Sequence, residues 1–210
     1  RPRKLPSAMP DGERILTWKQ IYKIKEVPEH LIVVGSGVTG AEFASAFNSV
    51  GVKVTLVSSR DRVLPGNDPD AAELIERVFE QNGVNICANS RAEAARVEGD
   101  GVIVTLGDGR EIEGSHVLMA VGAIPNTDGM GLEEAGVEMD ERGYVLTDRV
   151  SRTTANRIYA AGDCTGVFLL ASVASAQGRL AIAHALGDAV EPLNLDQVSS
   201  NIFTNPEIAS

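Results

Sequence analysis

The chain has 210 residues, 43% of them hydrophobic, and a formal net charge of -10. That apolar content suffices for a buried core in one large or two small domains, while the acidic balance disfavours nucleic acid and anionic membrane, which are bound largely through Lys and Arg. No run of about 18 apolar residues is present to cross a bilayer, and Arg1-Pro2-Arg3-Lys4 leads into polar, proline-containing sequence, so the expectation is a globular, cytoplasmic protein.

Residues 1–29 read as a connecting segment, with proline at 2, 6, 10 and 28 and one short helix over 18–22 that Thr17 would cap. Residues 31–34 form a short apolar run ending at glycine, the pattern of a buried parallel strand. A helix follows over 41–50, with Phe43, Ala44, Phe47 and Val50 at helical spacing and Gly51 as its stop. Residues 53–57 make a second strand. A second helix over 69–82 begins at Pro69 and carries Ala71, Leu74, Ile75, Val78 and Phe79 on one face. Residues 84–87 then read as a third parallel strand.

The pattern changes at residue 92 to short strands separated by Gly99-Asp100-Gly101 and Gly107-Asp108-Gly109, which predicts a β-meander to about residue 113. An apolar strand over 115–121 leads into a turn-rich stretch to Gly143, where a domain boundary is expected. Beyond it lie a short strand over 157–161 and a long, alanine-rich helix over 169–186. Cys87 and Cys164 have neither CxxC nor CxxxxC spacing, and His30, His116 and His184 are scattered. The cysteines therefore read as packing residues, and no metal site is expected.

Gly35-Ser36-Gly37-Val38-Thr39-Gly40 stands directly after a strand and opens a helix, where a dinucleotide fingerprint has to be. In such a loop the first glycine permits the tight turn, the second lets backbone approach a pyrophosphate, and the third lets helix and strand pack closely. The unpaired N–H groups and positive dipole end of the helix then face the anion. An NAD site ordinarily ends its second strand with Asp or Glu, which binds the ribose 2′-hydroxyl. Here that place reads Val57-Ser58-Ser59-Arg60, with no carboxylate until Asp61. Hydroxyls and a guanidinium suit a 2′-phosphate, so the sequence leans to NADP(H). A charge-assisted hydrogen bond contributes roughly 1.5–3 kcal/mol, a preference of about ten- to a hundredfold rather than exclusion of NAD. If Arg60 instead pairs with Asp61 or Glu residues on the surface, both nucleotides would be used.

These residues resemble the pyridine nucleotide-disulfide oxidoreductase family, in its lipoamide dehydrogenase and glutathione reductase group, over nearly the whole chain. Residues 1–6 resemble the exit from the family's first FAD-binding half, and residues 35–42 its NAD(P) fingerprint. Asp61-Arg62-Val63-Leu64-Pro65 resembles the loop after its second strand. Ala120-Val121-Gly122-Ala123-Ile124-Pro125-Asn126-Thr127 resembles the A-x-G-R-x-P-N-T exit from its NAD(P) domain, with Ala123 in place of the arginine and Gly122 a candidate cofactor contact. Thr153 or Thr154 followed by Ile158-Tyr159-Ala160-Ala161-Gly162-Asp163 resembles the second flavin motif, whose aspartate binds the ribityl or pyrophosphate end of FAD. Leu169-Leu170-Ala171-Ser172 would open the helix whose N-terminus faces the flavin's pyrimidine edge. Glu42 matches a catalytic position that orients a lysine near flavin and nicotinamide; its ordinary alternative is an acid of the helix's first turns, favoured by the dipole.

The resemblance implies an α/β fold: a Rossmann-like three-layer dinucleotide-binding domain with a β-meander, plus part of a second, FAD-binding Rossmann-like domain. Its implied parts are a connection from the FAD domain over 1–29, an NAD(P)H domain over 30–126, the second FAD half over 127–193, and from 194 to 210 the start of a C-terminal dimerisation domain. It implies FAD and NADP, with NAD also usable, a homodimer when complete, and hydride transfer from NAD(P)H through FAD to a small-molecule acceptor. The missing ribose acid and Ala123 favour a quinone as that acceptor. A disulfide reductase such as dihydrolipoamide dehydrogenase, a soluble transhydrogenase and a non-catalytic nucleotide-binding module are the competing expectations.

Overall fold

The computed structural model describes residues 1–210 and divides into two compact units, one of Pro2–Ala123 with Asn201–Ser210 and one of Ile124–Ser200 with Arg1.

The larger unit is built on a five-stranded, all-parallel sheet of β1 (Ile15–Thr17), β2 (His30–Val34), β3 (Lys53–Val57), β4 (Asn85–Cys87) and β8 (His116–Met119), in the order β1-β8-β2-β3-β4. Because successive side chains point to opposite faces, Leu31 and Val33 of β2 meet one layer and Ile32 and Val34 the other. The first layer is helical, α1 (Val38–Ser49) and α2 (Pro69–Gln81) supplying Ala41, Ala44, Ala72, Ile75 and Phe79. The second is the antiparallel meander of β5 (Ala92–Glu98), β6 (Gly101–Leu106) and β7 (Glu111–Gly114), which covers the sheet with Ala95, Val102, Val104 and Leu106. Burial on both faces explains why the central strands are continuous apolar runs rather than alternating ones.

Several local expectations are corrected. Thr17 does not cap a helix over 18–22. It ends β1, and its N–H and hydroxyl both meet Gln20 Oε1 at 2.8 Å, turning the chain into a short 3-10 helix at Ile21–Lys23. Helix α1 starts at Val38 and buries a small-residue face of Gly40, Ala41, Ala44 and Ser45, while Val50 lies beyond its end and is exposed. In α2 the buried line is Ala72, Ile75 and Phe79; Leu74 faces solvent. The Asp68 carboxylate accepts from the Asp70 and Ala71 N–H groups and caps that helix beside Pro69, a start signal that complements the proline. The final ten residues form β9 (Asn201–Ile202) and β10 (Ile208–Ala209), an antiparallel pair whose Ile202 is buried in the helical-side core of this unit.

The smaller unit has little regular pairing. Isolated antiparallel bridges join Met139 to Val145, Thr147 to Thr153 and Arg152 to Tyr159 around a small core of Val137, Val145 and Ala155. The strand expected over 157–161 is absent: Arg157 adopts a positive φ of 64°, which an extended strand does not allow, and only Tyr159 makes a bridge. A 3-10 turn at Asp163–Thr165 follows, then α3 (Ala171–Ala185), which begins two residues later than the sequence reading placed it.

Candidate functional site

Both candidate elements are turns that deliver a chain into a helix N-terminus. In the larger unit, β2 ends at Val34 and the chain reverses through residues 35–40 at the C-terminal edge of the parallel sheet. There β3 and β4 lie to one side of β2, and β8 and β1 to the other. Such a reversal of strand order opens the crevice where α/β sheets bind ligands.

The three glycines of the loop have different physical reasons. Gly35 has φ 111° and its N–H donates to Val57 O at 2.9 Å; a Cβ there would stand 2.3 Å from Ala120 O. At Gly40 a Cβ would fall 1.8 Å from Gly35 O, so only glycine lets α1 pack on its own turn. Neither position admits a side chain in the bare fold. Gly37 differs: its φ is -70°, which any residue adopts, and a Cβ would meet nothing within 4 Å. Packing within the chain therefore does not require glycine at 37, whereas a pyrophosphate lying against the backbone there does. Residues 37 to 39 are exposed, the first helical bond is Ala41 N–H to Gly37 O, and the first turn of α1 holds no acid. The amides of Gly37, Val38 and Thr39 thus form a donor cluster at a positive helix end, a fit to a dinucleotide phosphate. Gly122, after β8, is exposed at the same strand edge, and its carbonyl accepts from Arg3 N–H at 2.9 Å.

The specificity loop after β3 sorts its residues by depth. Ser59 and Arg60 are exposed, but Ser58 is fully buried. Its hydroxyl lies 2.7 Å from that of Ser36 and accepts from Arg60 N–H at 3.1 Å. Ser36, 5% exposed, likewise contributes its side chain to the loop rather than to the surface. Asp61 pairs with Arg62 at 3.1 Å rather than with Arg60. Arg62, through its hydrogen bond and charge, holds the Asp61 carboxyl below its ordinary value, while Asp61 raises the Arg62 guanidinium. The arginine that the sequence assigns to a 2′-phosphate is accordingly not consumed by the neighbouring acid.

Glu42 is the fifth residue of α1, beyond the turn where the dipole would account for it. Its Oε1 accepts the Phe203 N–H at 3.0 Å, and one turn on, Ser45 Oγ accepts the Asn205 N–H at 2.9 Å. Sequence reasoning missed this seam, because nothing in the spacing of residues 42 and 203 announces a contact.

In the smaller unit, Asp163 opens its 3-10 turn with an exposed carboxylate instead of ending a strand. The turn is fastened from α3. Gln177, 3% exposed, accepts the Gly162 N–H at 2.7 Å through Oε1 and donates from Nε2 to Thr165 Oγ1 at 3.4 Å, while the Thr165 hydroxyl donates to Gly162 O at 2.8 Å. Gly162 has φ 84° and lies where a Cβ would come within 3.2 Å of Ala174. Leu169, Ala171 and Ser172 are exposed, Leu170 is half-buried at the N-cap, and no side chain caps the helix. The exposed acid and the uncapped helix start supply an acceptor and a set of donors.

A parallel sheet with a glycine loop at its strand-order reversal defines the larger unit as a Rossmann-like dinucleotide-binding fold. The chain belongs to the family described as Pyridine nucleotide-disulphide oxidoreductase, whose pattern matches residues 1–178. It is 56% identical over 209 residues to an NAD(P)H dehydrogenase (quinone) of Mycobacterium tuberculosis, aligning all of this chain with 42% of that relative. A dihydrolipoyl dehydrogenase of Chlorobaculum parvum is 37% identical across the full chain and 45% of its own length. Among solved structures, LpdA from Mycobacterium tuberculosis superposes with a TM-score of 0.95 at 56% identity, covering 99% of this chain and 45% of that one. The chain thus spans less than half the length of the curated relatives it matches.

Proposed function

We propose that the chain forms the NAD(P)H-binding part, and one portion of the FAD-binding part, of a flavoprotein oxidoreductase that takes hydride from NADPH, and less selectively NADH, and passes the electrons to a quinone. Gly37 carries the reading: it is a glycine with ordinary φ and open space around it, explained by a phosphate against the backbone and by nothing inside the chain. The loop of Gly35, Ser36, Gly37, Val38, Thr39 and Gly40 cradles the pyrophosphate, with the amides of Gly37, Val38 and Thr39 as its donors, Gly122 borders the nucleotide, and Ser59 and Arg60 face the 2′-phosphate, with Ser58 supporting them from beneath. Asp163 binds the hydroxyl-bearing tail of FAD. The helix start at residues 169–172 stabilises negative charge on the reduced ring.

FAD, when bound, supplies the chemistry that accepts a hydride and releases electrons. The protein's part is positioning and electrostatics: the loop fixes the nucleotide, the α3 terminus favours the anionic ring, and Glu42 holds the chain at Phe203 in place. The proposed parts are an NAD(P)H domain over 30–126 entered by residues 1–29, an FAD portion over 127–193, and from residue 194 the start of a dimerisation domain; the working protein is a cytoplasmic homodimer. A quinone acceptor is supported by serine in place of the ribose acid, by Ala123 in place of the usual arginine, and by the relative named NAD(P)H dehydrogenase (quinone). The dihydrolipoyl dehydrogenase relative favours a disulfide as the second reading.

NADPH oxidation by the whole protein, compared with a naphthoquinone, oxidised lipoamide and thio-NAD as acceptors, tests the proposal. Fast quinone reduction with no disulfide turnover is expected. Strong disulfide turnover would overturn the quinone assignment, and rapid thio-NAD reduction alone would make the protein a transhydrogenase.

A further inference from the structure

We infer that Ser36 and Ser58 act as one buried hydroxyl pair that sets where Arg60 stands, making the pair a determinant of NADPH over NADH preference; the inference rests on the NADPH reading above. Ser36 belongs to the phosphate loop and Ser58 is the first residue after β3, so the pair ties the element facing the pyrophosphate to the element facing the 2′ position. The hydroxyls are 2.7 Å apart, and Ser58 is 0% exposed. Each hydroxyl has one hydrogen to give. One bridges the serines, and the other reaches a backbone carbonyl of the specificity loop: Ser58 Oγ lies 3.1 Å from Arg60 O and 3.2 Å from Arg62 O, and Ser36 Oγ lies 3.3 Å from Arg62 O. Ser58 Oγ also accepts the Arg60 N–H at 3.1 Å. Three backbone atoms, Arg60 N, Arg60 O and Arg62 O, therefore converge on two buried hydroxyls, where a lost partner costs most.

Around the pair, Leu64 N–H donates to Ser36 O at 2.8 Å and Asn89 N–H to Arg60 O at 2.8 Å, so the loop's outline survives without it. What the hydroxyls add is the fine position of the backbone that carries the Arg60 side chain. A carboxylate at 58, the residue of an NAD site, would face the carbonyls of Arg60 and Arg62 in that buried space and be repelled by both. Nucleotide choice is thus written in the loop's conformation as well as in the identity of one residue.

The test is equilibrium binding of NADPH and NADH to the whole protein and to its Ser36→Ala, Ser58→Ala and Arg60→Ala variants, read as the ratio of NADH to NADPH dissociation constants, with circular dichroism as a folding control. A wild-type ratio well above one that falls about fivefold in Ser36→Ala supports the pair as a specificity device. Arg60→Ala marks the largest possible loss, and non-additivity of Ser36→Ala with Arg60→Ala supports action through the arginine. A ratio within about twofold of wild type, or equal weakening of both nucleotides, assigns the pair to loop stability alone and overturns the inference. If Ser36→Ala fails to fold, Ser58→Ala decides on the same criterion. A wild-type ratio near one is visible before any variant is made and overturns the NADPH reading together with the inference.

Discussion

The two turns that deliver chain to a helix start, residues 35–40 and residues 162–166, are held in different ways. The first is held by backbone: Gly35 N–H bonds to β3, the Ala120 carbonyl packs beneath Gly35, and α1 rests on Gly40. The second is held by a side chain, Gln177 reaching from the middle of α3 to fasten Gly162 and Thr165. A backbone-built site is recorded in sequence as obligatory glycines at fixed spacing. A side-chain clamp leaves one glutamine, fifteen residues from the Gly162 amide it accepts, that looks like any other polar helix residue.

Substitutions at the glycines break the comparison most forcefully. Gly40→Val forces a Cβ into the Gly35 carbonyl and is expected to cost about 4 kcal/mol or more, seen as loss of the cooperative unfolding transition. Gly37→Ala has free space and a compatible φ, so melting is expected to stay unchanged while NADPH affinity falls. If both variants merely lowered stability, the assignment of Gly37 to ligand approach would be wrong.

The clamp gives the next largest effect. Gln177→Met keeps the volume but leaves the buried Gly162 N–H without its acceptor, a loss of about 1–3 kcal/mol. The protein is expected to purify with less FAD, measured by flavin absorbance per chain, while NADPH binding at the other turn is preserved. Undiminished flavin content would show that Asp163 holds its position without the clamp.

A smaller effect separates charge from geometry at Glu42. Glutamine retains an acceptor for Phe203 N–H, so Glu42→Gln should keep hydrogen-exchange protection at residue 203, whereas Glu42→Ala should lose it by about tenfold. Equal loss in both would mean that the negative charge, not the hydrogen bond, holds the segment.

The smallest effect is on pH dependence, through two histidines of the larger unit. Burial, then Lys53, lowers the His30 pKa, and burial, then Arg14, lowers that of His116. With the folded values below the unfolded one, the unfolded chain takes up protons first as pH falls through about 6.5. Stability should be full above that value and decline below it until the folded histidines titrate. His30→Gln should flatten part of the decline in melting temperature. A slope that is unchanged in that variant would place the acid sensitivity elsewhere.

The elements visible in the sequence follow the same division. The order of β2, α1, β3, α2 and β4 and the meander were visible because helices carry their own periodicity, buried strands read as short apolar runs, and the glycine loop has an internal steric reason. β1 was not, since three residues are too few to show a period and its pairing partner, β8, is about a hundred residues away. Residues 157–161 read as a short strand, but a strand is made by its neighbours, and Tyr159 has one bridge while Arg157 turns the chain at positive φ. Ser58 was visible as a non-acid at the specificity position, yet only the structure shows its hydroxyl turned inward to Ser36. The seam from Glu42 and Ser45 to residues 203 and 205 depends on distant backbone amides, which no side-chain pattern encodes.

The glycine loop and the Asp163 turn are proposed to serve one electron transfer, from a nicotinamide to a flavin. Anaerobic titration of the whole purified protein with NADPH, followed by visible absorbance, tests it most directly. The account predicts a yellow protein whose flavin band bleaches with a stoichiometric amount of NADPH and returns on adding a naphthoquinone. A flavin band that NADPH and NADH both leave unchanged, or a protein that binds the nucleotide and carries no flavin, would contradict it.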